Sequence, residues 1–491
     1  MIDDCRLPIE NRKLVPSAAE GLEIESEKVN DPFALHALGL IAYQKGQYEQ
    51  AVELINKAIA ANCSIPEFYN NIGLAFDEQG QYTAAIENYR RALKLKPDYV
   101  EAYNNLGITL RVRGEFTEAI ECYRRAIQIR PDLAELYCNL ADVYRDMGQC
   151  SEANANYDQA IQLKPDCYQA HWHKALALLL SGNFTEGWAE YKWRRHPDLK
   201  ITTYPHHYLP ELAWDGSSFK GKRLLVHYEQ GLGDTLQFVR YLPMVKSRGG
   251  TVILEVRKPL FNLLQGFEGA DELVMGSFEH KPDVKFDLHT SLMDLPCIFA
   301  TTLETIPGKV PYIYSDPAKL RIWKERFAKH GFKIGIVWAG SSEHAKNHAR
   351  SCPLRCFAPL TKIPHVRLYS LQKGPAAQQL KDFAAQTNVI NIAAQLQDFA
   401  DTAGVIANLD LVISVDTAVL HLAGAMGKAV WALLSYTPDW RWMLDRYDNP
   451  WYPTMRLFRQ TKLGDWTTVQ QRVADELSQY VNKRIELFSN T

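Results

Sequence analysis

The sequence predicts an all-α repeat solenoid followed by an α/β region made of two doubly wound units that face a cleft. Three observations predict it. Gly46, Gly80, Gly114, Gly148 and Gly182 stand 34 residues apart. After residue 215 the pattern changes to short apolar runs separated by helical stretches, as expected of parallel strands with crossover helices. Two of those runs, around Leu225 and Ile336, lead into glycines, so the unit occurs twice. A length of 491 residues accommodates two to four domains, and 46% hydrophobic with 23% charged residues is the balance of a globular protein. The formal net charge of -2 excludes a global field that recruits nucleic acid or an acidic membrane.

In chain order, residues 1–30 form a lead segment. "MIDDCRLPIENRKLVP" carries acids at positions 3 and 4 and lacks an apolar signal core, and no stretch approaches the ~20 apolar residues of a membrane span. The expectation is a cytoplasmic chain. Residues 31–200 are the repeats, with units such as "QGQYTAAIENYRRAL" and "RGEFTEAIECYRRAI". The 34-residue period is that of tetratricopeptide repeats, each a pair of amphipathic helices. The glycine permits the turn between them, Ala58, Ala92, Ala126 and Ala160 allow close helix approach, and Pro97, Pro131 and Pro165 end the second helix. Such a stack has a concave face suited to a protein or peptide. Asn70, Asn71, Asn104, Asn105 and Asn139 recur on first helices, where their amides suit either the backbone of an extended peptide or cross-links between helices. In the fifth unit Gly187-Trp188 replaces the usual residues, and Trp188, Tyr191 and Trp193 read as a seam to the α/β region.

Residues 201–325 and 326–491 are the two Rossmann-like units. Candidate strands are "KRLLVHY", "TVILEV" and "DELVMG" in the first, and "KIGIVWAG", "RLYSLQ", "NVINIA", "DLVISV" and "AVWALL" in the second. Ligands of such sheets bind outside the strand carboxyl ends. The final stretch, "TTVQQRVADELSQYVNKRIEL", is a closing helix expected to pack across the domain seam.

At the first strand end, "HYEQGLGDTLQF" places Gly231-x-Gly233 before a helix, the start of a dinucleotide fingerprint. The third glycine is missing, and Asp234 would repel a phosphate. The turn therefore serves a carboxylate, or Asp234 caps the helix beginning near Thr235. In the second unit, "DLVISVDTAVLHLAGAMGKAVWALL" ends a strand at Val415 and opens a helix at Thr417 that stops at Gly427. Its first amides suit a phosphate, while Asp416 also fits an N-cap. "SSEHAKNHARS" supplies Lys346 and Arg350 after another strand, and "SLQKG" supplies Gln372 and Lys373.

"SVDTAVLHLAGAMGKAVWALL" resembles the nucleotide-binding segment of the bacterial heptosyltransferases, GT-B glycosyltransferases whose stretch reads Asp-Thr-Gly-x-x-His-x-Ala-Ala-x-x-Gly. "GLGDTLQF" is similar to that family's N-domain loop, Gly-x-x-Gly-Asp, and "GIVWAGSS" to the first strand and loop of its C-domain. The resemblance covers about residues 220 to 440, and repeats fused to such a unit are analogous in architecture to the O-linked N-acetylglucosamine transferases. It implies a nucleotide-sugar donor. Asp416 would contact ribose hydroxyls, the backbone of Thr417 and Ala418 would hold the diphosphate, and His421 would touch ligand or brace Asp416. Ala418 stands where the family has glycine. Lys346 and Arg350 would neutralise the leaving diphosphate, with Gln372 and Lys373 facing the same cleft. Asp234 would be the base of an inverting transfer, on the acceptor side with Gly231 and Gly233 shaping its loop.

Sugar transferases that hold a divalent ion use an Asp-x-Asp pair, and none occurs here, so no metal or other cofactor is expected. "HWH" at 171–173 and "HH" at 206–207 are weak metal signals, and the nine cysteines, without a C-x-x-C pair, read as reduced, Cys122 and Cys138 as buried packing residues. The expectation is a glycosyltransferase acting on a protein or peptide that the repeats recruit. Its alternatives are a scaffold with a non-catalytic transferase fold and a transferase for a lipid-linked or polysaccharide acceptor.

Overall fold

A computed structural model describes residues 31–199, 209, 212–277, 282–327, 331–342 and 347–489. The chain divides into two compact units between Ala177 and Leu178. The fifth repeat starts in the first unit and finishes in the second.

The helices of the repeats are α1 (Pro32–Gln44), α2 (Tyr48–Ala61), α3 (Pro66–Glu78), α4 (Tyr82–Leu95), α5 (Val100–Arg113), α6 (Phe116–Ile129), α7 (Ala134–Asp146), α8 (Cys150–Leu163), α9 (Tyr168–Leu180) and α10 (Phe184–Tyr191). Gly46, Gly80, Gly114, Gly148 and Gly182 have φ between 71° and 87°, the left-handed region where a side chain is strained. Ala58, Ala92, Ala126 and Ala160 are fully buried. A second glycine row does different work: a Cβ on Gly73 or Gly107 would lie 2.6 Å from the ring of Tyr89 or Tyr123. Those tyrosines therefore set the spacing within the second and third helix pairs.

The asparagines are turned inward. Asn105 Nδ2 donates to Asn70 Oδ1 at 3.0 Å, Asn70 Nδ2 to Asn71 Oδ1 at 3.1 Å, and Asn139 Nδ2 to Asn104 Oδ1 at 2.9 Å. Asn71 Nδ2 lies 2.9 Å from His36 Nε2, and burial pushes that imidazole down to about 4, so the neutral ring accepts. All five are buried, so of the two roles open in the sequence the geometry supplies the cross-link between neighbouring helices. His173 is buried with Nδ1 2.9 Å from Asp142, and His171 turns to the Pro165 carbonyl, so the two histidines leave α9 toward different partners. His206 and His207 lie outside the described residues. Cys122 and Cys138 are buried.

The second unit continues with β1 (Leu212–Ala213), β2 (Arg223–His227), α11 (Leu232–Phe238), α12 (Leu242–Lys246), β3 (Thr251–Val256), β4 (Glu272–Met275), β5 (Leu288–Ser291), α13 (Leu295–Ile298) and α14 (Pro317–Arg326). Beyond these come β6 (Phe332–Val337), α15 (Asn347–Arg350), β7 (Val366–Ser370), α16 (Leu380–Gln386), β8 (Ile390–Asn391), α17 (Phe399–Ala407), β9 (Leu411–Val415), α18 (Ala418–Ala425), β10 (Val430–Leu434), β11 (Met455–Arg459) and α19 (Trp466–Ser489). One sheet has order β1-β5-β2-β3-β4, the other β11-β10-β9-β6-β7-β8, and their strands pair in parallel. This is the doubly wound α/β architecture the sequence predicts, consistent with GT-B.

In the first sheet the winding reverses beside β2, in the second between β6 and β9. These are the crevices in which such folds bind ligands. The chain leaves β2 through Gly231, β6 through Gly340 and β9 through Asp416, so three of the loops singled out in the sequence lie at reversal points. The closing helix differs from expectation: Val469, Val473, Leu477 and Val481 of α19 bury into the core of the six-stranded sheet rather than across the seam. No helix among the described residues is long and apolar enough to cross a membrane.

Candidate active site

The loop after β2 turns into α11 with Gly231 as N-cap, so the helix starts three residues before Thr235 and Asp234 occupies its first turn. Asp234 Oδ2 accepts from the Gly231 N–H at 2.7 Å. Its Oδ1 accepts from Arg441 Nη2 at 2.6 Å. The side chains are 19% and 8% exposed, so the pair is largely removed from solvent. The capping role suggested by the sequence is thus present at the third helical position, beside an ion pair the sequence did not suggest.

Arg441 is fully engaged. Its Nε donates to Gln237 Oε1 at 2.7 Å, Nη1 to Asp439 Oδ1 at 2.9 Å, and its guanidinium lies 4.4 Å from the Trp440 ring centre. Burial works against the charge, but the Asp439 and Asp234 carboxylates more than offset it and hold the group above its ordinary value.

The next residue holds the other carboxylate. Trp442 Nε1 donates to Asp416 Oδ2 at 2.9 Å, and Asp416 Oδ1 lies 3.7 Å from His421 Nε2. Burial alone would raise the Asp416 carboxyl; His421, then the Trp442 indole and the Arg350 charge, overcome that and hold it at about 2. Asp416 is not the N-cap. Thr417 takes that place in α18, makes no side-chain capping bond, and instead pairs Oγ1 with Ser414 Oγ at 3.0 Å. The Leu420 amide is taken by the Thr417 carbonyl at 3.0 Å, so the turn offers an outside acceptor at most the amides before it. Ala418 sits in ordinary helical backbone, so its methyl costs nothing conformationally.

His421 braces rather than projects. It is buried, with Nδ1 2.9 Å from the Tyr452 hydroxyl and its ring 5.4 Å from that of Trp442. A Cβ on Gly233 would lie 2.7 Å from His421 Cδ2, so glycine is what lets α11 approach α18. The Asp234 loop and the Asp416 helix consequently share one wall.

Around the β6 end, Arg350 lies across the backbone of Gly340, where a Cβ would meet its Nη2 at 2.6 Å, and its buried Nε has no protein partner. Lys346 lies outside the described residues. Gln372 is committed to the fold: Oε1 accepts from Trp338 N at 3.0 Å and Ala339 N at 2.8 Å, and Nε2 donates to the Ala339 and Lys373 carbonyls. It shapes the strand-end loop and has no amide group left for a ligand. Lys373 Nζ donates to the Leu396 carbonyl at 2.6 Å. The structure thus gathers Asp234, Gly231 and Gly233 with Asp416, Thr417, Ala418 and His421, and sets Arg350 beside them.

Sequence reasoning missed Arg441 and Trp442. The available signal was "PDWRWMLDRYDNP", where Trp, Arg and Asp concentrate without helical or strand periodicity.

Comparisons with known proteins agree with this division. Tetratricopeptide-repeat models match residues 36–87, 75–111 and 98–166, and the glycosyltransferase family 9 (heptosyltransferase) model matches residues 364–473. The chain is 28% identical over 331 residues to Protein FlbA of Caulobacter vibrioides, covering 62% of this chain and 54% of that one. It therefore spans about half the length of this curated relative. Similar solved structures include Pseudomonas aeruginosa pilF (22% identity, TM-score 0.31, 33% of this chain and 74% of that one) and a thermophilic TPR protein of Thermus thermophilus (23%, 0.31, 35% and 93%). MamA from Desulfovibrio magneticus matches at 18% identity and TM-score 0.32, over 34% of this chain and 96% of that one. The chain carries tetratricopeptide repeats joined to a glycosyltransferase family 9 (heptosyltransferase) domain.

Proposed function

We propose that the second unit transfers a sugar from a nucleotide-sugar donor, with inversion, to a protein or peptide acceptor recruited by the repeats. The observation that carries the reading is the convergence of two carboxylates, Asp234 and Asp416, held by consecutive residues Arg441 and Trp442 at the reversal points of two parallel sheets. Asp416, kept ionised, accepts hydrogen bonds from the ribose hydroxyls. The α18 amides at Thr417 and Ala418, with the Arg350 guanidinium, stabilise the negative charge that builds on the departing diphosphate. Asp234 takes the proton of the acceptor hydroxyl as that oxygen attacks the anomeric carbon.

The test is incubation of the protein and candidate acceptor fractions with labelled nucleotide sugars. Label in protein, reduced ~100- to 10,000-fold by Asp234→Asn, supports the reading. Label in the lipid fraction moves the acceptor to that class. A second reading, a binding module without transfer, is favoured by the engagement of both Asp234 oxygens by Gly231 and Arg441. It predicts nucleotide binding with no label transferred anywhere.

A further inference from the structure

The repeat pattern places a buried alanine at Ala92, Ala126 and Ala160. One period further on the sequence has Arg194. This arginine is as buried as the alanines it replaces, at 1% exposure. Its Nε and Nη2 grip both oxygens of buried Glu229 at 2.8 and 2.7 Å, and Nη2 also reaches Asp294 Oδ1 at 2.8 Å. Ser291 Oγ donates to the same Glu229 carboxylate at 2.6 Å. Glu229 stands in the loop after β2, two residues before Gly231 and five before Asp234.

The same segment reaches Asp234 from its other side. Trp188 and Tyr191 of α10 meet the Trp440 ring edge to face, with centres 5.3 and 6.2 Å away. Trp188 is fixed in turn by its Nε1 donating to the Thr301 carbonyl at 2.9 Å. Trp440 carries the Arg441 guanidinium on its face, and Arg441 holds Asp234.

We propose that residues Phe184–Arg195, the last repeat helix and the turn after it, position the Asp234 carboxylate from two sides, through Arg194–Glu229 and through Trp188/Tyr191–Trp440–Arg441. The role rests on the reading of Asp234 as the reacting group. A fully buried ion pair contributes little net stability compared with apolar residues of the same volume, and its distinctive contribution here is direction: a bidentate fork fixes the loop's angle. Reacting groups need that, since misplacement of about 1 Å costs on the order of 100-fold in rate. Arg194, Trp188 and Tyr191 are therefore positioning residues.

The test is amide hydrogen exchange on the full chain with Arg194→Gln, Arg194→Lys and Trp188→Phe. Exchange over residues 228–238, which include the Gly231 amide bound by Asp234, rises about tenfold or more in Arg194→Gln and in Trp188→Phe. It is partly restored in Arg194→Lys, while residues 411–426 stay as in the parent protein. Turnover of a nucleotide sugar that the parent protein uses falls about 30-fold, with the affinity for its nucleoside diphosphate unchanged. If Arg194→Gln unfolds, the paired variant Arg194→Met with Glu229→Met removes both charges, recovers the fold and still shows the faster loop exchange. Exchange unchanged at 228–238, or raised uniformly across the second unit, overturns the proposal. A parent protein that uses no nucleotide sugar overturns the transfer reading instead, and the exchange pattern still decides whether this segment positions the loop.

Discussion

The Arg441–Asp234 pair is the sharpest energetic claim of the site, and a double-mutant cycle measures it. Arg441→Gln removes the guanidinium and leaves an amide nitrogen only where Nε stood, short of Asp234, and Asp234→Asn removes the charge while keeping an oxygen for the Gly231 N–H. The contact is 2.6 Å long between side chains 8% and 19% exposed, so solvent screens it far less than a surface pair. Breaking a buried pair from one side costs roughly 3 to 5 kcal/mol when the remaining charge stays buried. Asp234 keeps the Gly231 N–H and some water, which puts Arg441→Gln at the lower end, about 3 kcal/mol, and Asp234→Asn at about 2 kcal/mol. The double variant should cost about 3 kcal/mol, leaving a coupling energy of about 2 kcal/mol. Urea unfolding followed by tryptophan fluorescence is the assay. Of the 11 tryptophans all but Trp172 lie beyond Ala177, so the signal reports the second unit. A coupling below about 0.5 kcal/mol is the value of an exposed ion pair and would mean that Arg441 does not hold Asp234.

Other perturbations draw on the same geometry. Gly233→Ala puts a methyl 2.7 Å from the buried His421 ring, and overpacking there should cost about 1 to 3 kcal/mol, read as a lowered urea midpoint; an unchanged midpoint would mean α11 and α18 are free to separate. Asp416 titrates at about 2 in the fold against an ordinary 3.8. A depressed carboxyl stabilises above its unfolded value and loses that contribution as pH falls through about 4 towards 2, so the parent protein should lose on the order of 2 kcal/mol more than Asp416→Asn over that window. Parallel acid profiles for the two would contradict the environment described for Asp416. In the repeats, Asn139→Ala should cost about 1 to 3 kcal/mol in the unfolding of the first unit, followed by circular dichroism, because it leaves the buried Asn104 carbonyl without its partner; a cost near zero would return these amides to a peptide-facing role.

Much of the architecture is legible because it is written in local periodicity. The glycines at 34-residue intervals specify the helix pairs, and "TVILEV" and "DLVISV" become β3 and β9, buried on both faces. β5 and β11 were not legible for physical reasons. "LHTS" has a single aliphatic residue and gains its place by pairing beside β2, and "MRLFR" is an edge strand whose alternation is interrupted by Arg456, paired with Glu476 of α19. The site divides in the same way. Asp234, Asp416, Thr417 and His421 sit in short motifs with their turns and caps beside them. Arg441 lies 207 residues from Asp234, and Trp442 lies 26 from Asp416, so their meeting depends on tertiary packing alone. The asparagines show the limit of residue chemistry: the same amides serve a peptide or a neighbouring helix, and only burial distinguishes the two. Gln372 is a parallel case, a polar residue at a strand end whose amide is consumed by backbone.

Calorimetric titration of the full chain with UDP, GDP, ADP, dTDP and CMP, beside Asp416→Ala, asks whether α18 opens a donor site. One nucleoside diphosphate should bind, and Asp416→Ala should weaken it by about 30-fold or more, about 2 kcal/mol, without lowering the yield of folded protein. Binding that is indifferent to Asp416, or no binding of any of the five, would contradict a donor site at the start of α18.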